Sequence, residues 1–257
     1  MKIKTLKSAE SEIKFVIDGV NFAFVNALRR AAGTKVPTLA IEDVYFIKNS
    51  SALYDEIMAH RLGLIPLHGD LKSYTLPAKC RCGGKGCARC QVKFTLKAVG
   101  PCVVYARDLK SGSPIKPVYP EMPIVELLKG QDIDLQAVAV LGEGSEHIKW
   151  SPGLAYYQSI PRIQIDAKKC NGCSICVEHC PKGVLEIKNK KAVVKDIWAC
   201  NLCASCQDRC PRSAIKIEGS EEEFIFTLES WGQLTPSQIL VKAADILNSQ
   251  LKEVKIK

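Results

Sequence analysis

The chain has 257 residues, of which 47% are hydrophobic and 25% are charged; it contains 13 cysteines and has a formal net charge of +9. This length is sufficient for more than one hydrophobic core, and no apolar run approaches the roughly 20 residues that a membrane-spanning helix needs. The opening residues, Met-Lys-Ile-Lys-Thr-Leu-Lys, lack the apolar stretch of a secretory signal. We therefore expect a cytoplasmic protein that does not bind membranes and whose cysteines are metal ligands rather than disulfides.

The positive net charge is compatible with an anionic partner such as nucleic acid. Lysine-rich ends supply much of the excess, however, and we interpret it as a solvated basic surface. A sequence-specific DNA-binding regulator is disfavoured, because no recognition helix can be identified.

The N-terminal third is predicted to alternate strands and helices. Residues 13–17 form a strand that ends in an Asp-Gly turn. Asn21 is placed to cap a helix that ends at Gly33. A further strand reaches Ile47, and a second helix covers residues 52–62. The first helix carries one apolar stripe, made of Phe22, Val25, Leu28 and Ala32.

Residues 20–67 contain two distinctive runs, in this order and almost without a gap: N-A-L-R-R-A-A-G-T-K-V-P-T-L-A-I-E-D-V and S-S-A-L-Y-D-E-I-M-A-H-R-L-G-L-I-P-L. These runs resemble the D subunits of archaeal RNA polymerases. That family is the counterpart of the eukaryotic third-largest subunit and of the N-terminal domain of the bacterial alpha subunit. The resemblance implies an alpha-like fold in which the first helix, including residues 26–31, packs in a dimer interface.

The second run places four polar residues on the predicted second helix: Asp55, Glu56, His60 and Arg61. Glu56 and His60 share one helix face, an arrangement that would suit acid–base chemistry. No nucleophile or substrate-binding loop accompanies them, so we assign this helix to surface or assembly contacts. Arg29-Arg30 of the first helix are assigned to contacts with a large partner subunit. The sequence therefore predicts no catalytic residue.

Four cysteines, Cys80, Cys82, Cys87 and Cys90, form a C-x-C-x4-C-x2-C run in a glycine-rich loop. Four thiolates on a short loop suit tetrahedral zinc, and glycine permits the positive φ angles of a tight turn. The position resembles that of a zinc loop in the eukaryotic third-largest subunit. Unmetallated thiols and disulfides are the alternatives. Cys102, in an apolar strand, is expected to be buried without a chemical role.

The rest of the middle segment is predicted to be mostly strand. Residues 91–99 alternate, with Val92, Phe94, Leu96 and Ala98 on one face. Further strands cover 103–106 and 135–140, a loop covers 108–120, and a short helical turn covers 124–129. Residues 142–152 resemble the family's G-x-G-x-x-H-x-K-W-x-P segment. No helix follows this G-x-G, so we expect no nucleotide loop, and we assign His147 to a loop contact.

Two cysteine runs dominate the third quarter of the chain. C-N-G-C-S-I-C-V-E-H-C-P begins at Cys170, and C-N-L-C-A-S-C-Q-D-R-C-P begins at Cys200. Each is the C-x2-C-x2-C-x3-C-P run of a bacterial-type ferredoxin with two clusters, in which the fourth Cys of each run ligates the other cluster. The duplication continues into short alternating strands at 181–187 and 211–217. Four disulfides or two zinc sites are the alternatives, although the spacing suits zinc poorly.

We assign the eight thiols to two 4Fe-4S clusters. The first set is Cys170, Cys173, Cys176 and Cys210; the second is Cys180, Cys200, Cys203 and Cys206. The sequence leaves open whether both clusters are complete, or whether one is a three-iron form or absent.

The C-terminal segment is predicted to form a strand over 224–230, with Phe224, Phe226 and Leu228 on one face, and then a long helix. The run T-L-E-S-W-G-Q-L-T-P-S-Q-I-L resembles the family's return to its dimerisation domain. Thr235 begins the helix in a capping box with Gln238. The helix carries a narrow apolar stripe of Leu240, Ala243, Leu247, Leu251 and Val254. Such a stripe packs on the chain's own core or on a partner helix; the resemblance favours the partner.

The resemblance thus implies a dimer interface made of Phe22, Val25, Leu28, Leu240, Ala243, Leu247 and Leu251. The expected fold is α+β in three parts. Residues 1–40 and 222–257 form a discontinuous alpha-like dimerisation domain. Residues 41–163 form an inserted mixed α/β domain with the four-cysteine zinc loop, and residues 164–221 form an inserted, duplicated ferredoxin-like domain.

The function implied by the resemblance is a non-catalytic assembly subunit of DNA-directed RNA polymerase, a nucleotidyltransferase holoenzyme. Such a subunit pairs with subunit L, is joined by subunits N and P, docks the second-largest subunit and meets DNA only within the holoenzyme. Its iron–sulfur clusters are expected to be structural or redox-responsive. The alternative is an electron-transfer subunit of a redox enzyme, although the chain has no dinucleotide fingerprint.

Overall fold

The computed structural model describes residues 1–69 and 73–254. Residues 70–72, in the predicted inserted domain, and residues 255–257, at the end of the predicted dimerisation domain, lie outside the described residues. Among the helices that are described, none combines the length and the apolar character needed to cross a bilayer.

The described residues form strands and helices in mixed order. The helices are α1 (Phe22–Thr34), α2 (Asp55–Gly63), α3 (Ile175–Glu178), α4 (Ser205–Asp208) and α5 (Pro236–Glu253). The strands are β1 (Lys2–Ser8), β2 (Glu12–Asp18), β3 (Thr38–Asn49), β4 (Gln91–Val99), β5 (Cys102–Tyr105), β6 (Lys110–Ser111), β7 (Pro123–Leu127), β8 (Asp132–Gly142), β9 (Gly153–Ile165), β10 (Leu185–Lys188), β11 (Lys191–Val194) and β12 (Ile215–Ser230).

Contacts within the chain divide it into two compact units, each built from separated segments. Unit 1 contains Met1–Lys7, Lys14–Asn26 and Tyr156–Thr227. Unit 2 contains Ser8–Ile13, Ala27–Ala155 and Leu228–Lys257. The division passes through α1. The three-part domain plan stays a prediction, because these units reflect contacts inside one chain rather than pairing with a partner.

Unit 2 is built on an antiparallel sheet in the order β3-β8-β4-β6. Strand β4 alternates as predicted: Val92, Phe94 and Leu96 are buried and the residues between them are exposed. Met58 and Leu62 lie four residues apart on α2 and are fully buried in the same core. Because residues four apart share a helix face, α2 covers the apolar side of this sheet with a single stripe.

The segment that follows β8 is held by Trp150. The Thr38 hydroxyl donates to the Trp150 carbonyl over 2.8 Å, and the indole nitrogen donates to the Val140 carbonyl over 3.2 Å. The Trp150 ring lies against Gly142, where an added Cβ would be 2.4 Å from ring carbon Cδ2. The first glycine of the G-x-G pair is therefore needed for packing against Trp150.

Two predictions in unit 2 are wrong at the level of single elements. Residues 124–129 are not a helical turn: strand β7 pairs antiparallel with β5, and pairing with a neighbour decides the conformation of a run containing two β-branched residues. Gly33 does not end α1, which continues to Thr34. The Thr34 hydroxyl donates to the Arg30 carbonyl over 2.7 Å and closes the last turn.

The main sheet of unit 1 has the order β1-β2-β12-β9, and its core is aromatic. The rings of Phe15 and Phe226 stack at 5.3 Å, and Phe224 receives the edges of Phe22 and Tyr157 at 4.8 and 5.7 Å. The expected alternation of exposure along 224–230 is absent, since every residue from Phe224 to Leu228 is buried. This stretch of β12 is therefore covered on both faces.

The caps of the two long helices follow the sequence. Asn21 Oδ1 accepts from the Phe24 N–H at 3.0 Å, as expected of an N-cap. Thr235 and Gln238 form the predicted reciprocal capping box at the start of α5, at 3.3 and 2.9 Å. Local chemistry therefore sets where both helices begin.

Replacing Gly142 by alanine tests the packing of Trp150. The new Cβ overlaps the indole ring, so we expect Gly142→Ala to lower the free energy of unfolding by about 1–3 kcal/mol, the usual cost of overpacking. Gly33→Ala is the matched control: an added Cβ at Gly33 has no atom within 4 Å, and alanine favours helix. Anaerobic urea unfolding measures both, and equal stability of the two variants would contradict this account.

Candidate metal centres

The eight cysteines of residues 170–210 lie in two structural copies. Each residue of the first copy has its equivalent 30 positions later in the chain, so that Cys170 corresponds to Cys200. The short helices α3 and α4 carry the third cysteine of each copy, Cys176 and Cys206, and both cysteines are buried. The backbone repeats as well, because the left-handed residues fall in pairs at the same spacing: Gly172 and Leu202, Ser174 and Ala204, and Gly183 and Ser213. The predicted duplication is therefore present in the backbone conformation.

The first predicted set of thiols lines one small cavity. Its lining includes Cys170, Cys173, Cys176 and Cys210, together with apolar side chains of β10, β11 and β12 such as Ile187 and Ile215. The fourth cysteine thus comes from the other copy, as the ligand pattern of two-cluster ferredoxins requires.

The second predicted set converges on Cys206. Burial raises the pKa of the Cys206 thiol to about 11, and nearby Cys180, Cys200 and Cys203 add to the rise. Burial likewise raises the pKa of Cys176, with further contributions from Cys170, Cys173 and Cys210. Each buried thiol is therefore close to the other three members of its own predicted set.

Backbone amides point at several sulfur atoms. The Val184 N–H donates to Cys180 Sγ and the Ala214 N–H donates to Cys210 Sγ, both over 3.3 Å. The Ala192 N–H donates to Cys170 Sγ over 3.4 Å and lowers the pKa of that thiol. Donors aimed at sulfur stabilise the thiolate form, which is the form that binds metals.

The donor sets fit the groups that the sequence implies. Among the described residues, the only group of three or more potential ligands within 4.8 Å of one another is Cys80, Cys82, Cys87 and Cys90. A single ion needs its ligands that close, whereas a 4Fe-4S cluster takes one thiolate on each of four irons and needs them further apart. Neither ferredoxin-type set has three sulfur atoms that close, and the first set lines a cavity with apolar side chains, so both sets fit the second case.

The glycine-rich loop brings its four sulfur atoms together as a single-ion site would. Four of the Sγ–Sγ separations are 3.4, 3.6, 3.6 and 3.8 Å, close to the edge of about 3.8 Å of a tetrahedron with Zn–S bonds of about 2.3 Å. Gly83, Gly84 and Gly86 have positive φ angles, as predicted. A hydrogen bond with the Cys80 thiol lowers the pKa of Cys82 to about 6.

Three of the other polar residues singled out by sequence, Arg61, Asp55 and His147, make contacts within the chain. Arg61 donates to the carbonyls of Ile124 and Pro123 at 2.8 and 2.9 Å, and so ties α2 to β7. Asp55 accepts from the Asn49 side chain at 2.7 Å, whereas Glu56 and His60 are exposed. His147 Nδ1 accepts from the Lys149 N–H, in agreement with a loop contact. The tie made by Arg61 could not be read from the sequence, because its partner strand was predicted to be helical.

The expectation that Cys102 is buried is wrong. Cys102 is exposed, and its thiol reaches only the Val99 carbonyl, at 3.5 Å. Strand β5 pairs with β7 in a two-stranded sheet, and Val103 beside it is also exposed. The apolar pattern of β5 therefore overstates its burial.

The seven predicted interface residues differ in exposure. Val25, Leu28 and Ala243 are buried within the chain, and Leu240 and Leu247 are half-buried. Phe22 is 47% exposed and Leu251 is 70% exposed. Of these seven residues, only Phe22 and Leu251 expose a large apolar surface. Ile239, which the predicted stripe omitted, is one of the buried residues that anchor α5.

Two parts of the chain match families of known proteins. Residues 44–168 match the RNA polymerase Rpb3/RpoA insert domain, and residues 159–222 match a 4Fe-4S dicluster domain. The DNA-directed RNA polymerase subunit Rpo3 of Methanosarcina acetivorans is 42% identical over 99% of this chain and 97% of its own length.

Similar proteins occur in other archaea. The Rpo3 subunit of Methanothermobacter thermautotrophicus is 43% identical over 99% of this chain, and that of Pyrococcus horikoshii is 38% identical over 96%. The chain belongs to the Rpo3 family. It is thus a subunit of DNA-directed RNA polymerase rather than a redox enzyme's electron carrier, and the nucleotidyl transfer of that complex is not performed by this subunit. The resemblance stated from residues 20–67 is confirmed.

Paired cysteine substitutions test the crossed assignment of the two clusters. If Cys170 and Cys210 hold one cluster, Cys170→Ala/Cys210→Ala removes only that cluster and leaves about four irons per chain, whereas Cys170→Ala/Cys180→Ala removes both. Iron and sulfide analysis of anaerobically purified chains gives the counts. The opposite ranking would mean that each run ligates its own cluster.

Zinc in the glycine-rich loop is tested by Cys87→Ser. Loss of one of four thiolates should reduce bound zinc from about one per chain to a small fraction, because the remaining three do not close the tetrahedron. Cys102→Ser is the control, since Cys102 lies outside the loop. Elemental analysis after dialysis against a weak chelator measures zinc, and retention of zinc by Cys87→Ser would contradict the assignment.

Proposed function

We propose that this chain pairs with subunit L as the alpha-like half of a heterodimer. The pair, joined by subunits N and P, forms the docking platform for the second-largest subunit of the polymerase. The observation that carries this proposal is the near full-length match to Rpo3 subunits, which covers the segments on both sides of the metal-bearing insertions. The predicted dimerisation domain, residues 1–40 and 222–257, supplies the pairing surface.

Helix α5 has the surface that such pairing needs. Ile239 and Ala243 anchor its first half in the chain's own core, while Leu251 near its end is 70% exposed. Val254, three residues further on, is 65% exposed as well, and neighbouring exposed apolar side chains, unlike a single one, are typical of a contact with a partner. We therefore place Leu251 in the subunit interface. Val25, Leu28 and Ala243, which the resemblance also assigns to that interface, are buried within the chain.

We propose two 4Fe-4S clusters as stabilisers of residues 164–221, and zinc as the stabiliser of the loop 80–90. The apolar core around the clusters is small and includes cysteine side chains themselves, among them Cys176, Cys200 and Cys206. A group that binds only the folded chain adds its binding free energy to stability. Loss of the clusters in oxygen then weakens this module and couples redox state to polymerase assembly.

Leu251→Asp tests the pairing surface. An exposed leucine can be replaced without loss of the chain's own core, but a charge buried against subunit L should weaken the heterodimer at least about tenfold. Gln250→Glu is the matched control, because it adds the same charge one residue away at another exposed position of the same helix end. Anaerobic titration calorimetry with subunit L gives the affinities, and unchanged binding of Leu251→Asp would remove Leu251 from the interface.

The same titration distinguishes the roles of the clusters. Cys170→Ala/Cys180→Ala, which is expected to lack both, should bind subunit L more weakly if the clusters support assembly, and equally well if they do not. An electron-transfer role is checked by co-purification from cells: the proposed function requires polymerase subunits, and an oxidoreductase partner in their place would overturn it.

A further inference from the structure

We propose that Lys191 makes the cluster held by Cys170, Cys173, Cys176 and Cys210 the first of the two to accept an electron. This inference rests on the cluster assignment of the proposed function. It concerns a difference between the two copies of the cysteine module, which are otherwise alike in spacing and in backbone conformation.

The hairpin of β10 and β11 places two donors on Cys170. The Lys191 ammonium donates to the Cys170 carbonyl, and the next residue, Ala192, donates its N–H to Cys170 Sγ over 3.4 Å. The tight turn at Asn189 and Lys190, both with positive φ, returns the chain so that β11 pairs with β10. A cation and an amide dipole are therefore fixed beside the first thiol of this set.

Other charged and polar groups near the clusters occur in both copies, so their effects on the two reduction potentials cancel. The N–H donors of Val184 and Ala214 reach Cys180 and Cys210 over the same distance, 3.3 Å. Arg212 lines the first cavity, and the second copy has its equivalent in Lys182, also directly after a Cys-Pro pair. These pairs give neither cluster an advantage.

The groups that do not cancel all favour the first cluster. In the second copy the chain continues as β12 instead of turning back, and the residue 30 positions after Lys191 is the exposed Glu221. No N–H of the described residues donates to Cys200 Sγ, the counterpart of Cys170. Cys200 is also buried, at 7% exposure, whereas Cys170 is half-buried.

The residues just before the first cysteine of each copy also place more positive charge beside the first cluster. Lys168 and Lys169 precede Cys170, and Trp198 and Ala199 occupy the equivalent places before Cys200. Both lysines are exposed, so solvent screens them and their effect is smaller than that of Lys191.

Reduction adds one electron from a one-electron donor to a cluster, and no bond is formed or broken. The extra negative charge is stabilised by a nearby cation and by N–H groups directed at sulfur, and disfavoured by burial. Because the Lys191 ammonium is held at the Cys170 carbonyl, the cluster beside it has the higher reduction potential.

The test is an anaerobic redox titration of the full chain with dithionite, followed by electron paramagnetic resonance. Two reduction waves are expected. Lys191→Gln should lower the potential of the higher wave alone, reducing the reduced-to-oxidised ratio at a fixed potential by about three- to tenfold. Lys191→Arg should restore it. Lys195→Gln, which removes an exposed lysine just beyond β11, should leave both waves in place.

Cys200→Ala/Cys203→Ala assigns the waves, because it retains only the cluster beside Lys191 and should show only the higher one. A shift of the lower wave in Lys191→Gln, or no shift, would overturn the inference. Iron and sulfide counts are taken first: a wild-type chain with fewer than about eight irons would contradict the cluster assignment itself, whereas full counts with unmoved waves would contradict only the role of Lys191.

Discussion

The proposed cluster assignment places one crossing constraint on the cysteine module: each set of four thiols draws three from one copy of the cysteine run and one from the other. Cys210 lines the same cavity as Cys170, Cys173 and Cys176, and Cys180 is one of the neighbours that raise the pKa of Cys206. With this assignment neither copy completes its site without the other, and the segment from Cys170 to Cys210 has to fold as a single unit.

The backbone of the module reflects the same constraint. Each copy needs a left-handed residue two places after its first cysteine; the first copy has Gly172, where a Cβ would lie 2.6 Å from the Lys190 carbonyl oxygen. The second copy has Leu202, with φ of 60°. A bulky residue in this region costs roughly 1–3 kcal/mol, so surrounding interactions must impose it. Convergence of the thiols on a shared group, together with packing of Leu202 beside Gly219, supplies such interactions.

The features that could be predicted from sequence are those that depend on local chemistry. Cysteine spacing, the capping box at Thr235 and the alternation of β4 each involve residues a few positions apart. The errors share a different cause. Whether 124–129 is helix or strand depends on pairing with β5, and the burial of Phe224 to Leu228 depends on what covers the second face of β12. Exposure of Cys102 depends likewise on a distant neighbour, and Arg61 holds a strand more than sixty residues away.

The difference between the two copies also connects the module to the rest of unit 1. The first copy closes on itself through the β10–β11 hairpin, whereas the second continues without a break into β12, which begins at Ile215, five residues after Cys210. The same strand carries Phe226 and Phe224, which pack on Phe15 of β2 and on Phe22 at the start of α1. A single continuous strand therefore joins the cysteine module to the aromatic packing at the first turn of α1, on the helix that the family resemblance places in the subunit interface.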